Sequence, residues 1–173
     1  LGYLVLTPNQ TNASTIAELL INAQADGMGH HPFGPTALMR AASLDRPQLT
    51  ELFLQNYPNT VPLTNTYGNS ALVLAIQRGS DASATKIINS GLDNLNRRDQ
   101  AGYTALTWAV LVNNFQMVNL LVNAGADKDV KDNAKRNICW HSGQIRNEVE
   151  KVPNNEIQLQ DVQRIRSKLG CLF

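Results

Sequence analysis

Short stripes of apolar residues recur along this chain at helical spacing, and they recur in pairs. Leu38, Ala41 and Ala42 form one stripe, Leu72, Ala75 and Ile76 a second, and Leu106, Ala109 and Val110 a third. Spacing of this kind puts one face of a helix against a core. A further stripe follows each: Leu49, Leu52 and Phe53, then Ile87 and Ile88, then Met117, Val118 and Leu121. Each leading stripe opens on the same local pattern: Gly34-Pro35-Thr36-Ala37-Leu38, Gly68-Asn69-Ser70-Ala71-Leu72 and Gly102-Tyr103-Thr104-Ala105-Leu106. The interval is 34 residues both times, and a fixed period of this size marks a solenoid of stacked supersecondary units. Thr36, Ser70 and Thr104 stand where a side-chain oxygen can accept from an orphan N–H at a helix start. Gly91 and Gly125 stand where a left-handed residue ends a helix. Each unit reads as turn, short helix, short helix, return loop.

The residues quoted resemble the ankyrin repeat. Asp99-x-x-Gly102-x-Thr104-Ala105-Leu106 is similar to that family's D-x-x-G-x-T-P-L-H opening, and Leu120-Leu121-Val122-Asn123-Ala124-Gly125-Ala126-Asp127 to its L-L-x-x-G-A-D close. The second unit matches at Asn65, Gly68, Ser70, Leu72, Ala75, Gly91 and Asp93; the first has Tyr57-Pro58-Asn59 where the family has G-A-D. Ala37, Ala71 and Ala105 replace the proline, and Met39, Val73 and Thr107 replace the histidine. In the family that histidine helps tie neighbouring turns together, and here that tie is missing. The resemblance implies an all-α, ankyrin-type helix-turn-helix solenoid with hairpin loops, whose degenerate ends act as caps.

On this reading residues 31–132 hold three repeats (31–64, 65–98 and 99–132). Residues 1–30 are a partial, degenerate N-terminal repeat, since Leu19 to Asp26 echoes Leu120 to Asp127. Thr15-Ile16-Ala17-Glu18 has the form of a capping box. Residues 133–173 form a C-terminal capping unit. There Asp132 to Gly143 aligns loosely with a repeat opening, with Lys135 or Arg136 in place of the glycine. Ile145, Val149 and Val152 make one stripe. After Pro153, Leu159, Val162, Ile165 and Leu169 make another, on a final helix over 155–169. End repeats need a polar outer face.

Composition sets limits. A chain of 173 residues fits one continuous domain with a substantial core. With 15 basic and 14 acidic side chains, no electrostatic preference for nucleic acid is visible. No run approaches the roughly 18 apolar residues of a spanning helix, and Leu1 to Leu6 lacks the form of a signal peptide. The chain starts at Leu1 rather than methionine and so reads as trimmed. Its 19 asparagines hint at an AT-rich genome; this is the ground for a finer reading, a secreted effector of an intracellular bacterium working in host-cell cytoplasm. Cys139 and Cys171 could pair, but two cysteines in such a domain read as free thiols of a reducing, cytoplasmic compartment.

Residues that suggest chemistry are sparse. A zinc site needs four ligands at suitable spacing, and neither His30-His31 nor Cys139 with His141 supplies them. A Cys139–His141 nucleophile lacks an orienting third group, so the enzyme reading ranks last. Asp93, Asp99 and Asp127 read as turn-forming side chains. No phosphate-binding glycine loop occurs, and no cofactor is expected.

The resemblance places partner binding on the concave face made by hairpin tips and the exposed row of the inner helices. There Phe33, Tyr67, Tyr103, Leu111 and Val112 are more apolar than a solvated face requires, and Arg78 adds a hot-spot residue type. The leading expectation is therefore a monomeric, non-catalytic module that binds a polypeptide. Arg97 and Arg98, beside Asp99 at one tip, read as solvated charge, with an electrostatic contact to a partner as the alternative. The tail carries an alternative, a lipid-anchored adaptor. Cys171 lies third from the end behind Arg164, Arg166 and Lys168, and one further residue would complete a prenylation signal.

Overall fold

The computed structural model describes residues 15, 17–19, 35–152 and 155–171. The chain divides into two compact units, Leu1–Asn94 and Leu95–Phe173. Every regular element among the described residues is helical.

The first unit contains α1 (Ala37–Ser43), α2 (Pro47–Asn56), α3 (Ala71–Arg78) and α4 (Asp81–Ser90), with a 3-10 turn at Pro58–Thr60. Thr36 Oγ1 accepts from Met39 N–H at 3.2 Å and Ser70 Oγ from Val73 N–H at 3.4 Å, so both expected N-caps form. Pro47 opens α2, where its missing N–H costs nothing. Helix α1 packs on α3 and α2 on α4, and each pair also packs internally. Leu38, Met39, Leu49, Phe53, Leu72, Ile76 and Ile87 are fully buried between them. Leu52 is only half-buried, and Leu54 takes the interior position instead. Two polar bonds join successive helix pairs: Ser80 Oγ donates to Ser43 O at 3.2 Å, and Ser83 N–H to Asp45 Oδ1 at 3.0 Å.

The second unit contains α5 (Ala105–Leu111), α6 (Phe115–Asn123), α7 (Ile138–Glu150) and α8 (Glu156–Leu169). Thr104, Asn114 and Asn137 cap the first three, accepting from Thr107, Met117 and Trp140 N–H. Helix α5 packs on α6 and α7, and α8 packs on α6 and α7. As expected, Val162, Ile165 and Leu169 of α8 are buried. The other expected stripe fails at its end: Ile145 and Val149 are half-buried, but Val152 is 55% exposed, because α7 stops at Glu150.

The period of 34 is visible in the backbone. Asp45, Gly79 and Asn113, each 34 residues from the next, have φ of 48°, 69° and 53° at the reversal between paired helices. Aspartate and asparagine are the non-glycine residues that best tolerate this left-handed region. The opening turns repeat too. Gly68 and Gly102 have φ of 80° and 84°, and their N–H groups donate to Asn65 O and Asp99 O. A third copy follows after a shorter interval: Lys135, φ 61°, donates to Asp132 O, and Asp132 N–H to Arg136 O at 3.0 Å. Lys135, not Arg136, is thus the glycine position.

In the second unit the tie that Thr107 cannot make is supplied by Asn133. Its N–H donates to Ala101 O at 3.2 Å and its Nδ2 to Gln100 O at 2.7 Å, while Arg98 Nη2 donates to its Oδ1 at 2.9 Å. A Cβ on Gly102 would come within 2.7 Å of the Asn133 backbone nitrogen. This turn therefore needs glycine for space as well as for φ.

Two expectations are corrected. Cys139 and Cys171 form a disulfide, and no described cysteine is free. Proximity across 32 residues is created by folding α8 back onto α7 and cannot be read from spacing. Thr15 is itself helical, whereas an N-cap residue lies outside the helix it caps.

Candidate protein-binding surface

In the first unit Tyr67 is 69% exposed at the tip of a turn. Asn65 Oδ1 fixes that turn by accepting from Tyr67 N–H at 2.9 Å and from Asn69 N–H at 3.0 Å. Arg78 is exposed in the last turn of α3, where a cation complements the helix dipole. Phe33 lies outside the described residues, as do His30 and His31.

In the second unit Val112 is 41% exposed and Leu111 half-buried, at the end of α5. Tyr103 behaves differently. Its ring meets Trp108 and His141 edge-on, with centroids 5.5 Å and 5.2 Å apart, and its hydroxyl accepts from Arg136 Nη2 at 3.3 Å. Arg98, expected as a solvated tip charge, is bonded to Gly102 O and Asn133. Asp99 and Asp127 hold turns as expected, accepting from Ala101 and Tyr103 N–H and from Asp129 N–H. Asp93 accepts from Ser70 Oγ at 3.3 Å.

Around Tyr103 the second unit builds a ring and charge cluster that sequence reading missed. Trp108 Nε1 donates to Asp99 Oδ2 at 2.8 Å, and His141 Nε2 lies 3.1 Å from Asp132 Oδ2. In both cases a ring nitrogen reaches back to the turn carboxylate nine residues earlier. The recurring interval, Asp99 to Trp108 and Asp132 to His141, was the available signal. Arg136 closes the cluster: its Nε donates to Asp132 Oδ2 at 2.7 Å, and its guanidinium lies 4.4 Å above the Trp140 ring. Trp140 remains 43% exposed.

Charge is set by burial and pairing. Burial pushes the Asp132 carboxyl up, but bonds from the Arg136 backbone and side chain outweigh it and hold the carboxyl below its usual range. Burial lowers the His141 imidazole, and the attraction of Asp132 only partly offsets this. Asp132 is the orienting group that a Cys139–His141 pair was expected to lack, but the Cys139 sulfur is bonded to Cys171. Among the described residues no cluster of His, Cys, Asp and Glu could hold a metal, and no helix is long and apolar enough to cross a membrane.

The sulfur on which the lipid-anchor alternative depends is likewise engaged, and Cys171 is buried. The basic residues before it each contact a neighbouring helix. Arg164 lies 4.1 Å over Phe115, Arg166 Nη1 donates to Ser142 Oγ at 3.1 Å, and Lys168 Nζ to Asn123 Oδ1 at 2.9 Å.

The sequence profile for ankyrin repeats, in three copies, matches residues 7–97 and 59–132. Neurogenic locus notch homolog protein 1 of Mus musculus is 32% identical over 120 residues, 69% of this chain. Neurogenic locus notch homolog protein 2 of Homo sapiens is 29% identical over 117 residues, 68% of this chain. The chain spans about 5% of the length of either relative. A crystallised ankyrin repeat protein shares the fold with a TM-score of 0.75 at 23% identity, covering 94% of this chain and 77% of that one. These matches agree with the helix pairs, the capped turns and the 34-residue backbone period: the chain belongs to the ankyrin repeat family.

Proposed function

We propose that this chain binds a partner polypeptide through the exposed side chains of its turn tips and inner-helix ends, with Tyr67 as the leading contact. Ankyrin repeats generally serve as protein–protein interaction modules. The observation that carries the finer reading is the exposure of Tyr67, at 69%, on a turn whose backbone is held by Asn65. A large amphipathic ring on a fixed backbone loses little entropy on binding, which is what hot-spot tyrosines exploit. Arg78 serves the same unit, Val112 and Leu111 the other. Tyr103 contributes its ring edge while also holding the cluster around His141, so Tyr103→Ala perturbs folding as well as binding.

The test is affinity capture followed by titration of the captured partner, comparing wild type with Tyr67→Ala. Tyr67→Ala should weaken binding by about 2 kcal/mol, or roughly thirtyfold, with an unchanged unfolding midpoint. Equal affinity in a folded variant would remove Tyr67 from the interface.

A further inference from the structure

Most titratable or reactive groups of the second unit are absorbed by its turns, but the disulfide is surrounded by features that packing alone does not require. We propose that Cys139–Cys171 is a reducible latch between α7 and the end of α8, opened by a dithiol reductant that attacks Cys139.

Three observations point the same way. The first is access. Cys139 is half-buried and lines an open pocket of about 480 Å³, together with Trp140, Gly143, Gln144, Asn147 and Arg166. Cys171 is only 7% exposed. Gly143 leaves the wall beside Cys139 without a side chain, and the nearest atom to a Cβ built there is Arg166 Nη1 at 3.5 Å. The second is the leaving group. The Ser142 hydroxyl has two acceptors in reach, Cys139 O at 2.9 Å and Cys171 Sγ at 3.9 Å, and Arg166 Nη1 donates to Ser142 Oγ at 3.1 Å. When Cys171 becomes a thiolate it is the stronger acceptor, so the hydroxyl turns to it with the guanidinium behind. The third is the position of Cys139 in the first turn of α7, a 13-residue helix, where a thiolate is favoured.

The exchange then runs through two stabilised leaving groups. A thiolate of the dithiol attacks Cys139 Sγ from the pocket and forms a mixed disulfide there. The Cys139–Cys171 bond breaks, and Cys171 departs with the electron pair and takes a proton. The second thiol of the reductant, once deprotonated, attacks its own partner sulfur and releases Cys139 as a thiolate, which is protonated from water. The protein gains two electrons and two protons, and the dithiol is oxidised to a disulfide. What the latch controls is the end of α8. The Cys171 N–H donates to Arg166 O and the Gly170 N–H to Ser167 O, and these bonds lie directly against the bridge.

The experiment uses the oxidised, folded chain and a thioredoxin whose second active-site cysteine is replaced by serine, which traps the mixed disulfide. Peptide mapping should place the adduct on Cys139. With intact thioredoxin, thiol release should proceed without denaturant, and hydrogen exchange at Gly170 and Cys171 should quicken by roughly tenfold or more, while α5 stays protected. Ser142→Ala should slow thiol release by about three- to tenfold, through the loss of the leaving-group donor, with the unfolding midpoint of the oxidised form unchanged. An adduct on Cys171, release only at the rate of global unfolding, or unchanged exchange at the end of α8 would each overturn the proposal. A Ser142→Ala variant that is reduced as fast as wild type would overturn the role of Ser142.

Discussion

Two turn-and-helix openings in the second unit, Asp99–Leu111 and Asp132–Glu150, share a scaffold and differ in what they bury. Both turns place a left-handed residue fourth, Gly102 or Lys135, and both helices are capped by a side-chain oxygen, from Thr104 or Asn137. Both turn carboxylates receive a ring nitrogen, from Trp108 or His141. The interior positions then diverge. Leu106, Ala109 and Val110 are buried hydrocarbon, while their counterparts Cys139, Ser142 and Gly143 meet Cys171 and Arg166 of the closing segment. The backbone plan is therefore separable from the core it usually encloses. A covalent bond and a polar contact can stand where packed methyl groups stood.

The difference can be broken from its apolar side first. Leu106→Ala should cost about 2–5 kcal/mol in denaturant unfolding, because it leaves a cavity at a fully buried site. On the other side, Cys139→Ser with Cys171→Ser should cost roughly 3–4 kcal/mol by loop-closure entropy over a separation of 32 residues. A loss below about 1 kcal/mol would show that α8 is held by Val162, Ile165 and Leu169 alone.

Acid should sharpen the contrast between the two ring contacts. Burial holds the folded His141 imidazole below the ordinary histidine value of 6.5, so the unfolded chain binds more protons as pH falls below that value, and stability falls with it. The Asp132 carboxyl, also lowered, adds a second loss as pH drops below the ordinary carboxylate value of 3.8. Trp108 has no such titration. His141→Gln, whose amide can still donate to Asp132, should flatten the limb just below about pH 6.5 in urea unfolding. An unchanged limb would assign it to other groups.

The smallest effect should come from the turn. Lys135→Gly removes a left-handed non-glycine residue but adds freedom to the unfolded chain, so the net gain should be roughly 0.5 kcal/mol.

Much of this was legible because the signals are local. Thr36, Ser70 and Thr104 act within three residues, and the stripes through Leu38, Leu72 and Leu106 repeat at one interval. The turn at Lys135 was harder to see, since Lys135 follows Gly102 by 33 residues and lacks the glycine of the Gly68 and Gly102 turns. The disulfide depends on how α8 returns to α7, which no spacing encodes. Tyr67 and Tyr103 both read as binding residues from sequence, yet Tyr67 is open to solvent while Tyr103 is held between Trp108 and His141. That difference arises because the two are not equivalent: Tyr67 precedes the turn glycine, where the second unit has Ala101, whereas Tyr103 follows it, within reach of the Trp108 and His141 rings.

The bridge also sets how this domain answers to force. A pull applied beyond Cys171 passes through the sulfur bond directly to Cys139 and bypasses α8 and all of α7 beyond Cys139. Some 32 residues of chain then carry no load. At about 3.4 Å per extended residue they represent roughly 110 Å of hidden length. Reduced, the same chain would give up that length in a single stretching event; oxidised, it would stay short, with the tension passing from Cys139 straight to the turn before α7.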